Sequence, residues 1–253
     1  MEGSCKRGMG WIALFLGLTA LLGVVVCLLG GMPLGRSTPV PQEVDVDGEQ
    51  PQPGETKPPI TCVVIDAGHG GEDGGTSSAA GTIEKDVNLE VAVALRDLLE
   101  AAGIPTVMTR TEDKLLYDRG VDYHGRKKVL DLAARRTIAE ATEGCLFVSI
   151  HMNAFPQTQY SGMQVWYGMA DARSFDVATA IQKGSTTLMP DNQRKVKAAG
   201  SSIYLLERLA CPAVLVECGF LSNPEEAARL SDAAYRRAVA TVIFGGILAY
   251  VEP

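Results

Sequence analysis

The chain has 253 residues, a formal charge of −7 and 46% apolar residues, which predicts one good-sized α/β domain with a further segment at one end. Nucleic acid is set aside as a partner, because its binding depends on clustered Lys and Arg side chains that neutralise phosphates, and this acidic sequence has no such block. The six cysteines include no CxxC pair, so neither a zinc ribbon nor a thioredoxin-like motif is predicted.

An apolar run dominates residues 1–35. No charged residue occurs in residues 8–35, and the run is long enough to cross a bilayer, which takes ~20 residues. Lys6 and Arg7 precede it and acidic residues follow it, so the positive-inside rule places the N-terminus in the cytoplasm and the remainder outside. We expect a transmembrane helix that anchors the chain in the membrane. The alternatives are a cleaved signal peptide, which lacks a clear cleavage site here, and a lipoprotein acylated at Cys27, which lacks the small residue expected before that cysteine.

Residues 36–59 are rich in proline and acidic residues and have almost no aliphatic content. Such a segment cannot bury enough apolar surface to offset the entropy of ordering it. We expect an extended tether that leads into a single catalytic domain over residues 60–253.

From residue 60 onward, short apolar runs alternate with amphipathic segments, a pattern typical of an α/β domain. The predicted strands cover residues 61–66, 105–110, 146–150, 162–167, 202–206 and 213–217. The predicted helices cover residues 84–102, 126–140 and 171–188, and two more begin at Asn223 and Ser231. Because several strands are apolar throughout, and so are buried on both faces, we predict a mostly parallel central sheet.

Three of these strands run directly into residues that carry chemistry. The first ends at Asp66 and leads into a glycine-rich loop with His69. The third ends at His151, and the last ends at Glu217. Since the carboxyl ends of parallel strands lie along one edge of a sheet, we expect these side chains to share a cleft. One histidine alone would more commonly be a partly buried core residue, but two of the chain's three histidines at this edge favour a functional site.

This set of residues suits a hydrolytic zinc site. Such a site takes three protein ligands from His and carboxylate, keeps a position for water and has a carboxylate nearby to move a proton. His69 and His151 supply two ligands. Spacing alone leaves four acidic residues open as the third ligand: Glu84, Asp66, Asp73 and Asp86.

Five segments in a fixed order carry a family resemblance. They are IDAGHGGEDGG (65–75), IEKDVNLEVAVALRDLLEAAG (83–103), VMTR (107–110), VSIHMNA (148–154) and VLVECGFLSN (214–223). Together they resemble the zinc-dependent N-acetylmuramoyl-L-alanine amidases of bacterial cell walls. The resemblance spans most of residues 60–251 and implies a single α/β domain in which a twisted, mostly parallel central sheet is flanked by helices. It also implies one Zn²⁺ ion per chain and peptidoglycan as the partner.

The resemblance also implies roles for individual residues. His69, Glu84 and His151 match the family's zinc ligands, and Glu217 matches its catalytic glutamate. The implied reaction is hydrolysis of the amide bond between N-acetylmuramic acid and L-alanine, with the fourth metal position taken by water.

Other residues near these motifs have less specific interpretations. Arg110 and Arg135 fall where the family also has arginines, and ion pairing and substrate binding are equally open for them. His124 lies in a polar loop and is predicted to be exposed and not a ligand. Cys218 follows Glu217 directly, but strand alternation should turn it to the opposite face. Four cysteines beside apolar runs are predicted to be buried thiols, with a disulfide left open: Cys62, Cys145, Cys211 and Cys218.

Within the family, the chain resembles the sporulation branch, which prepares spore-cortex peptidoglycan for muramic-δ-lactam formation. The features that carry this are the short interval between His151 and Glu217 and the segments YHGRKK (123–128) and SGMQVWY (161–167). Ala67 departs from the family pattern, where proline is common. Together with the anchor predicted from residues 1–35, the resemblance implies an extracytoplasmic catalytic domain in the cell wall or the intermembrane space of the forespore. Any protein activator is unknown from sequence.

Two alternative functions use the same residues. A catalytically silent peptidoglycan-binding module predicts a damaged ligand set, whereas all four positions are present. A zinc carboxypeptidase acting on stem peptides would share two histidines and a glutamate but needs a basic residue in the cleft for a terminal carboxylate. Sequence alone does not place Arg110 or Arg135 there.

Overall fold

A six-stranded sheet organises the computed structural model, which describes residues 58–117 and 124–251. The strands are β1 (Cys62–Ala67), β2 (Thr106–Met108), β3 (Cys145–Asn153), β4 (Gln164–Tyr167), β5 (Lys197–Ala198) and β6 (Ala213–Phe220). The helices are α1 (Glu84–Ala101), α2 (Lys127–Glu140), α3 (Arg173–Gly184), α4 (Tyr204–Arg208), α5 (Pro224–Leu230) and α6 (Ala233–Ile247). Short 3₁₀ turns, Ser185–Thr187 and Leu248–Tyr250, follow α3 and α6.

The strand order is β2-β1-β3-β6-β4-β5. Strands β2, β1, β3 and β6 run parallel, β4 is antiparallel to β6, and β5 is parallel to β4. The α/β class is therefore confirmed, and the sheet is mixed. The register sets Ala67 opposite Ile150 and His151 opposite Glu217. The carboxyl ends of β1, β3 and β6 consequently meet at one edge, as the sequence predicts.

Helices cover both faces of the sheet. Helices α1, α3 and α6 pack on one face, and α2 and α4 pack on the other. Strand β1 shows why its sequence is apolar throughout: Val63 and Ile65 face the first layer, Val64 faces the second, and all three are fully buried. Burial of each such side chain contributes about 1.5–3 kcal/mol, so the central strands are anchored from both sides.

Helix boundaries follow the local sequence signals. Helix α1 ends just before Gly103, whose φ of +79° suits a residue without a Cβ. Asn223 caps α5 by accepting hydrogen bonds from the backbone N–H groups of Glu225 and Glu226. Asp232 caps α6 in the same way, accepting from Ala234 at 2.9 Å.

The prediction of a strand over residues 202–206 is wrong. The segment enters helix α4, in which Leu205 packs into the core one helical turn before Leu209. A short apolar run is ambiguous between strand and buried helix, and here the four-residue spacing of these leucines fits the helix. The two-residue strand β5 was not predicted, because it is too short to show a pattern.

The predicted anchor (1–35) and all but the last two residues of the predicted tether (36–59) lie outside the described residues. In the described ranges, no helix is long and apolar enough to cross a membrane. The anchor therefore stays a prediction. The four cysteines within the described ranges are free thiols, although the sulfur atoms of Cys145 and Cys211 are only 3.6 Å apart.

Candidate metal centre

The structure brings His69, Glu84 and His151 into one cluster. Their ligand atoms all lie within 4.8 Å of one another. The same oxygen, Glu84 Oε1, is 3.2 Å from His69 Nε2 and 3.0 Å from His151 Nδ1. Two imidazoles and one carboxylate that converge from three different elements fit a metal ion with an open fourth position. The three residues therefore form a candidate metal centre.

The glycine-rich loop turns His69 into this cluster. His69 adopts φ +61°, a left-handed conformation that costs a non-glycine residue about 1–2 kcal/mol. Arg135 Nη2 donates to its carbonyl oxygen at 2.7 Å, and Asp73 Oδ1 lies 2.9 Å from its Nδ1 atom. The Asp73 contact leaves Nε2 facing Glu84. Such a carboxylate on the outer nitrogen is the usual way to orient a metal-ligating histidine.

Two glycines make the close approach of the ligands possible. A Cβ on Gly75 would lie 2.4 Å from Glu84 Oε2, and a Cβ on Gly68 would lie 2.2 Å from His151 Nε2. The loop between the first strand and α1 also closes through its backbone, since Glu84 N donates to Thr76 O at 2.9 Å. Thr76 N in turn donates to Glu84 Oε2 at 2.8 Å. The return of Glu84 to His69 is therefore built into the loop.

The three other acidic residues that spacing left open as the third ligand do not belong to the cluster. Asp73 lies on the outer nitrogen of His69, as described. Asp86 is exposed on α1. Asp66 is 1% exposed and lies beneath the cluster, where it accepts hydrogen bonds from Thr109, Ser149 and Arg135 at 2.6–2.7 Å. Geometry thus selects Glu84 as the third member.

The pKa of Asp66 is lowered from its ordinary value. Burial is the largest single influence and raises the pKa. The Arg135 charge and the hydrogen bonds from Ser149 and Thr109 together lower the pKa by more than burial raises it. Asp66 is accordingly ionised in the folded protein, and it holds the guanidinium that supports the His69 carbonyl.

Arg110 and Arg135 serve the loop backbone. Arg110 is 2% exposed and donates to the carbonyl oxygens of Ala67, Gly68 and Lys85 at 2.7–3.0 Å. Arg135 is 1% exposed, and besides Asp66 it binds the Ala67 carbonyl at 2.8 Å. Of the two roles left open by the sequence, these contacts support the structural one.

Glu217 lies beside the cluster on β6. Its Oε2 atom is buried and has no hydrogen-bond partner among the described residues. Burial raises the pKa of its carboxyl group to about 7, and the charge of Glu84 adds to the rise while His151, His69 and Arg194 oppose it. A carboxyl group with a pKa near neutrality suits both uptake and release of a proton.

Cys218 and His124 lie apart from the cluster. Cys218 is fully buried in the layer of Val216, and its thiol contacts the carbonyl oxygen of that residue. The predicted opposite orientation to Glu217 is confirmed. His124 is exposed, with φ +42°, and is not a member of the cluster.

A groove of about 770 Å³ runs from His151 and Glu217 across the antiparallel side of the sheet. Aromatic and basic side chains dominate its wall: Phe155, Tyr160, Trp166, Tyr204, Phe220, Lys128, Arg194 and Lys197. Sequence reasoning missed this surface. Two local basic segments in an acidic chain were the available signals, Arg-Lys-Lys at 126–128 and Arg-Lys-Val-Lys at 194–197.

The fold and the cluster define an α/β protein with a candidate His₂Glu metal centre and an adjacent buried carboxyl group, a set of residues that metallohydrolases use. Residues 63–249 match the family model described as N-acetylmuramoyl-L-alanine amidase. The chain belongs to this family, which confirms the resemblance seen in the sequence.

Individual relatives agree with this assignment. The chain is 39% identical over 188 residues to the germination-specific N-acetylmuramoyl-L-alanine amidase of Bacillus subtilis (strain 168), covering 74% of this chain and 78% of the relative. It is 29% identical over 221 residues to the amidase LytC of the same organism, covering 87% of this chain but 40% of LytC.

Solved structures show the same fold. The CwlD amidase of Clostridioides difficile, solved in complex with the GerS lipoprotein, aligns with a TM-score of 0.71 at 36% identity, covering 75% of this chain and 98% of CwlD. The catalytic domain of CwlV from Bacillus (Paenibacillus) polymyxa var. colistinus aligns with a TM-score of 0.64 at 28% identity, covering 76% and 98%.

Proposed function

We propose that the chain hydrolyses the amide bond between the lactyl group of N-acetylmuramic acid and L-alanine in peptidoglycan. The observation that carries the proposal is the position of Glu217, whose buried carboxylate lies beside His69, Glu84 and His151 in a domain of the amidase family. The likeness to a germination-specific amidase supports spore-cortex peptidoglycan, and muramic-δ-lactam formation, as the setting.

Zinc is the metal that fits the cluster best. Two imidazoles and one carboxylate form a donor set that zinc uses in hydrolytic sites. His69, Glu84 and His151 would hold one ion per chain, with Asp73 orienting His69. When bound, zinc polarises a carbonyl and lowers the pKa of water to about 7.

The protein's own contribution to the reaction is proton transfer and positioning. Glu217 takes a proton from the attacking water and delivers it to the leaving nitrogen of L-alanine. A C–O bond forms at the lactyl carbonyl as the C–N bond breaks, so the products are a lactyl carboxylate and a free peptide amine. The pKa of about 7 for Glu217 suits both halves of this exchange. The groove holds the substrate on the Glu217 side.

The location and the partners are proposals as well. We infer an extracytoplasmic catalytic domain that is tethered to a membrane by the predicted helix in residues 1–35. The CwlD amidase was solved with a lipoprotein bound, and this supports a protein partner of the same kind for the present chain. Copurification of full-length chain with membranes, and its release by proteolysis in the 36–59 segment, would test the tether.

The alternative functions fit the site less well. A silent binding module predicts a damaged ligand set, whereas the three ligand candidates converge within 4.8 Å. A carboxypeptidase calls for a basic residue in the cleft to hold a terminal carboxylate. Arg110 and Arg135 are buried in contacts with the loop backbone and do not supply it. Arg194 and Lys197 do line the groove, so the identity of the released products has to separate the two enzymes.

One assay tests the proposed function. The purified, zinc-loaded protein is incubated with spore-cortex peptidoglycan with and without a chelator, and the released peptides are analysed by mass spectrometry and amine labelling. We expect peptides with a new L-alanine amine terminus and a complementary loss of stem peptides from the glycan, both abolished by the chelator. Release of terminal D-amino acids instead would favour the carboxypeptidase.

A further inference from the structure

One wall of the groove is positively charged in an otherwise acidic protein. Lys128, Arg194 and Lys197 line it, and among the described lining residues the acidic side chain is Glu217 alone. The chain as a whole carries a charge of −7. Three cationic side chains around one carboxylate therefore mark a local environment that favours an anionic ligand.

Arg194 is held in place and still has donors to offer. Its Nε atom donates to Ser161 O at 2.7 Å, and Nη1 donates to Gln164 Oε1 at 3.1 Å. Its guanidinium lies over the ring of Phe220, 4.4 Å from the centroid. Over residues 58–117 and 124–251, Nη2 has no hydrogen bond and no carboxylate lies within ion-pair distance of Arg194. A stacked guanidinium with an Nη2 atom that has no partner among the described residues is well suited to bind a carboxylate.

Lys197 extends the positive wall farther from the reacting centre. It lies on β5, opposite Trp166 in the register, and its Nζ atom is 5.1 Å from the centroid of that ring. In the part of the chain that the structure describes, it forms no ion pair. Strand β5 is two strands beyond the one that carries Glu217, which corresponds to about 10 Å.

The substrate's negative charges are distributed in a matching way. In the amide-linked glycan the lactyl carboxyl group is consumed by the bond, so the glycan around that bond is neutral. The stem peptide is anionic: after L-alanine comes a D-glutamate linked through its side chain, which leaves its α-carboxylate free. An extended peptide covers about 3.4 Å per residue, so its first three residues span the distance from Glu217 to Lys197.

From this match, which rests on the proposed function, we infer that Arg194 and Lys197 form a subsite for stem-peptide carboxylates on the leaving-group side of the groove. Arg194 binds the free α-carboxylate of the residue that follows L-alanine, and Lys197 adds positive charge farther along the groove. These residues determine which stem peptides are cleaved efficiently, and an amidated second residue, which has no negative charge, is a poor substrate.

The experiment compares two muramyl peptides that differ in one group. Both carry L-alanine and then a D-glutamate residue, with its α-carboxylate either free or amidated. Full-length, zinc-loaded protein is assayed for kcat and KM on each. Because a charge-assisted hydrogen bond contributes about 1.5–3 kcal/mol, we expect kcat/KM to be roughly 10–100-fold higher for the free acid, mainly through KM.

Variants assign the preference to the subsite. Arg194→Gln should lower kcat/KM more for the free acid than for the amide, so that the ratio of the two approaches one, whereas Arg194→Lys should keep part of the preference. Lys197→Gln should show a smaller effect of the same kind. Lys195→Gln is the matched control, since this lysine is exposed in the same segment but does not line the groove, and it should behave as the wild type.

The outcomes separate this inference from the proposed function. If the wild type cleaves both peptides equally well, the amidase function stands and the subsite is wrong. If Arg194→Gln loses the same factor on both peptides, Arg194 only supports Gln164 and Phe220, and the inference also fails. If the zinc-loaded wild type cleaves neither peptide, the proposed function fails and takes the subsite with it.

Discussion

The metal cluster and the groove adjoin at Glu217, but they are held by different kinds of contact. The cluster rests on buried charge: Asp66, Arg110 and Arg135 are all at most 2% exposed and fix the backbone from which His69 projects. The groove is lined mainly by exposed and half-buried aromatic and basic side chains, among them Arg194, which stacks on the buried ring of Phe220. Its shape depends on stacking and on single hydrogen bonds.

Because of this difference, substitutions in the two regions should affect different properties of the protein. In the cluster, removal of one buried partner leaves another charge uncompensated, so stability and metal binding should fall together. In the groove, a side chain such as Lys197 can be replaced without exposing a buried charge, so substrate preference should change alone. The following predictions test this separation.

Glu217 should give the largest effect on activity. Glu217→Gln keeps the size of the side chain but removes proton transfer, which contributes about 100- to 10,000-fold in rate. We expect kcat on peptidoglycan to fall by that factor while elemental analysis still finds one zinc per chain. Cys218→Ala, which changes the next residue on the opposite face, should keep both zinc and turnover. Undiminished kcat in Glu217→Gln would remove Glu217 from the mechanism.

Arg135 should give the largest effect on stability. Arg135→Met leaves Asp66 ionised and buried without its main counter-charge, a change that typically costs about 3–5 kcal/mol. Urea unfolding at neutral pH measures the loss. Arg136→Met is the matched control, because the next residue of α2 pairs with Glu140 on the surface and exposed pairs contribute little. Similar losses in the two variants would contradict the buried-charge account of the cluster.

The ligands themselves were largely predictable from the sequence, for a local reason. His69 and His151 each follow an apolar strand, and a parallel sheet brings such strand ends to one edge. The third ligand was not predictable from spacing. Glu84 reaches His69 because the intervening loop is closed by the Thr76 backbone and clamped by Arg135 from α2. Those contacts join distant parts of the chain, and only the family resemblance pointed to Glu84.

The groove was not predicted at all. Lys197 belongs to a two-residue strand, and Arg194 lies in an irregular segment before it, so neither takes part in a hydrophobic period. Their place beside Glu217 depends on the antiparallel pairing of β4 with β6. The mistaken strand over residues 202–206 hid the same region, because that segment is a helix that forms one wall of the groove. Local pattern thus predicts the catalytic edge better than the binding surface.

Asp73 should have a moderate effect that is confined to metal affinity. Its carboxylate accepts from the outer nitrogen of His69 at 2.9 Å, and loss of such a partner typically weakens metal binding by about 10–100-fold. We expect Asp73→Asn to lower zinc affinity by that factor in a chelator competition, with little change in unfolding of the metal-free protein. Asp86→Asn is the control, since this exposed aspartate lies two residues after Glu84 in the sequence. Equal affinities for the two variants would contradict the orienting role.

The loss of stability in acid should depend on Asp66, which supports the cluster, and not on the groove. The pKa of Asp66 is lowered in the folded protein, so on acidification the unfolded chain takes up the proton first. The stabilisation that Asp66 provides is fully present above its unfolded pKa of about 4. This stabilisation is lost as the pH falls through the folded pKa. The free energy of unfolding of the metal-free protein should therefore fall more steeply between about pH 5 and 3 in the wild type than in Asp66→Asn. Ser149→Ala, which removes one hydrogen bond to Asp66, should lie between them. Arg194→Gln should follow the wild-type slope, since Arg194 forms no ion pair among the described residues. A slope shared by wild type and Asp66→Asn would mean that folding does not lower the pKa of Asp66, which would contradict the buried-charge account of the cluster.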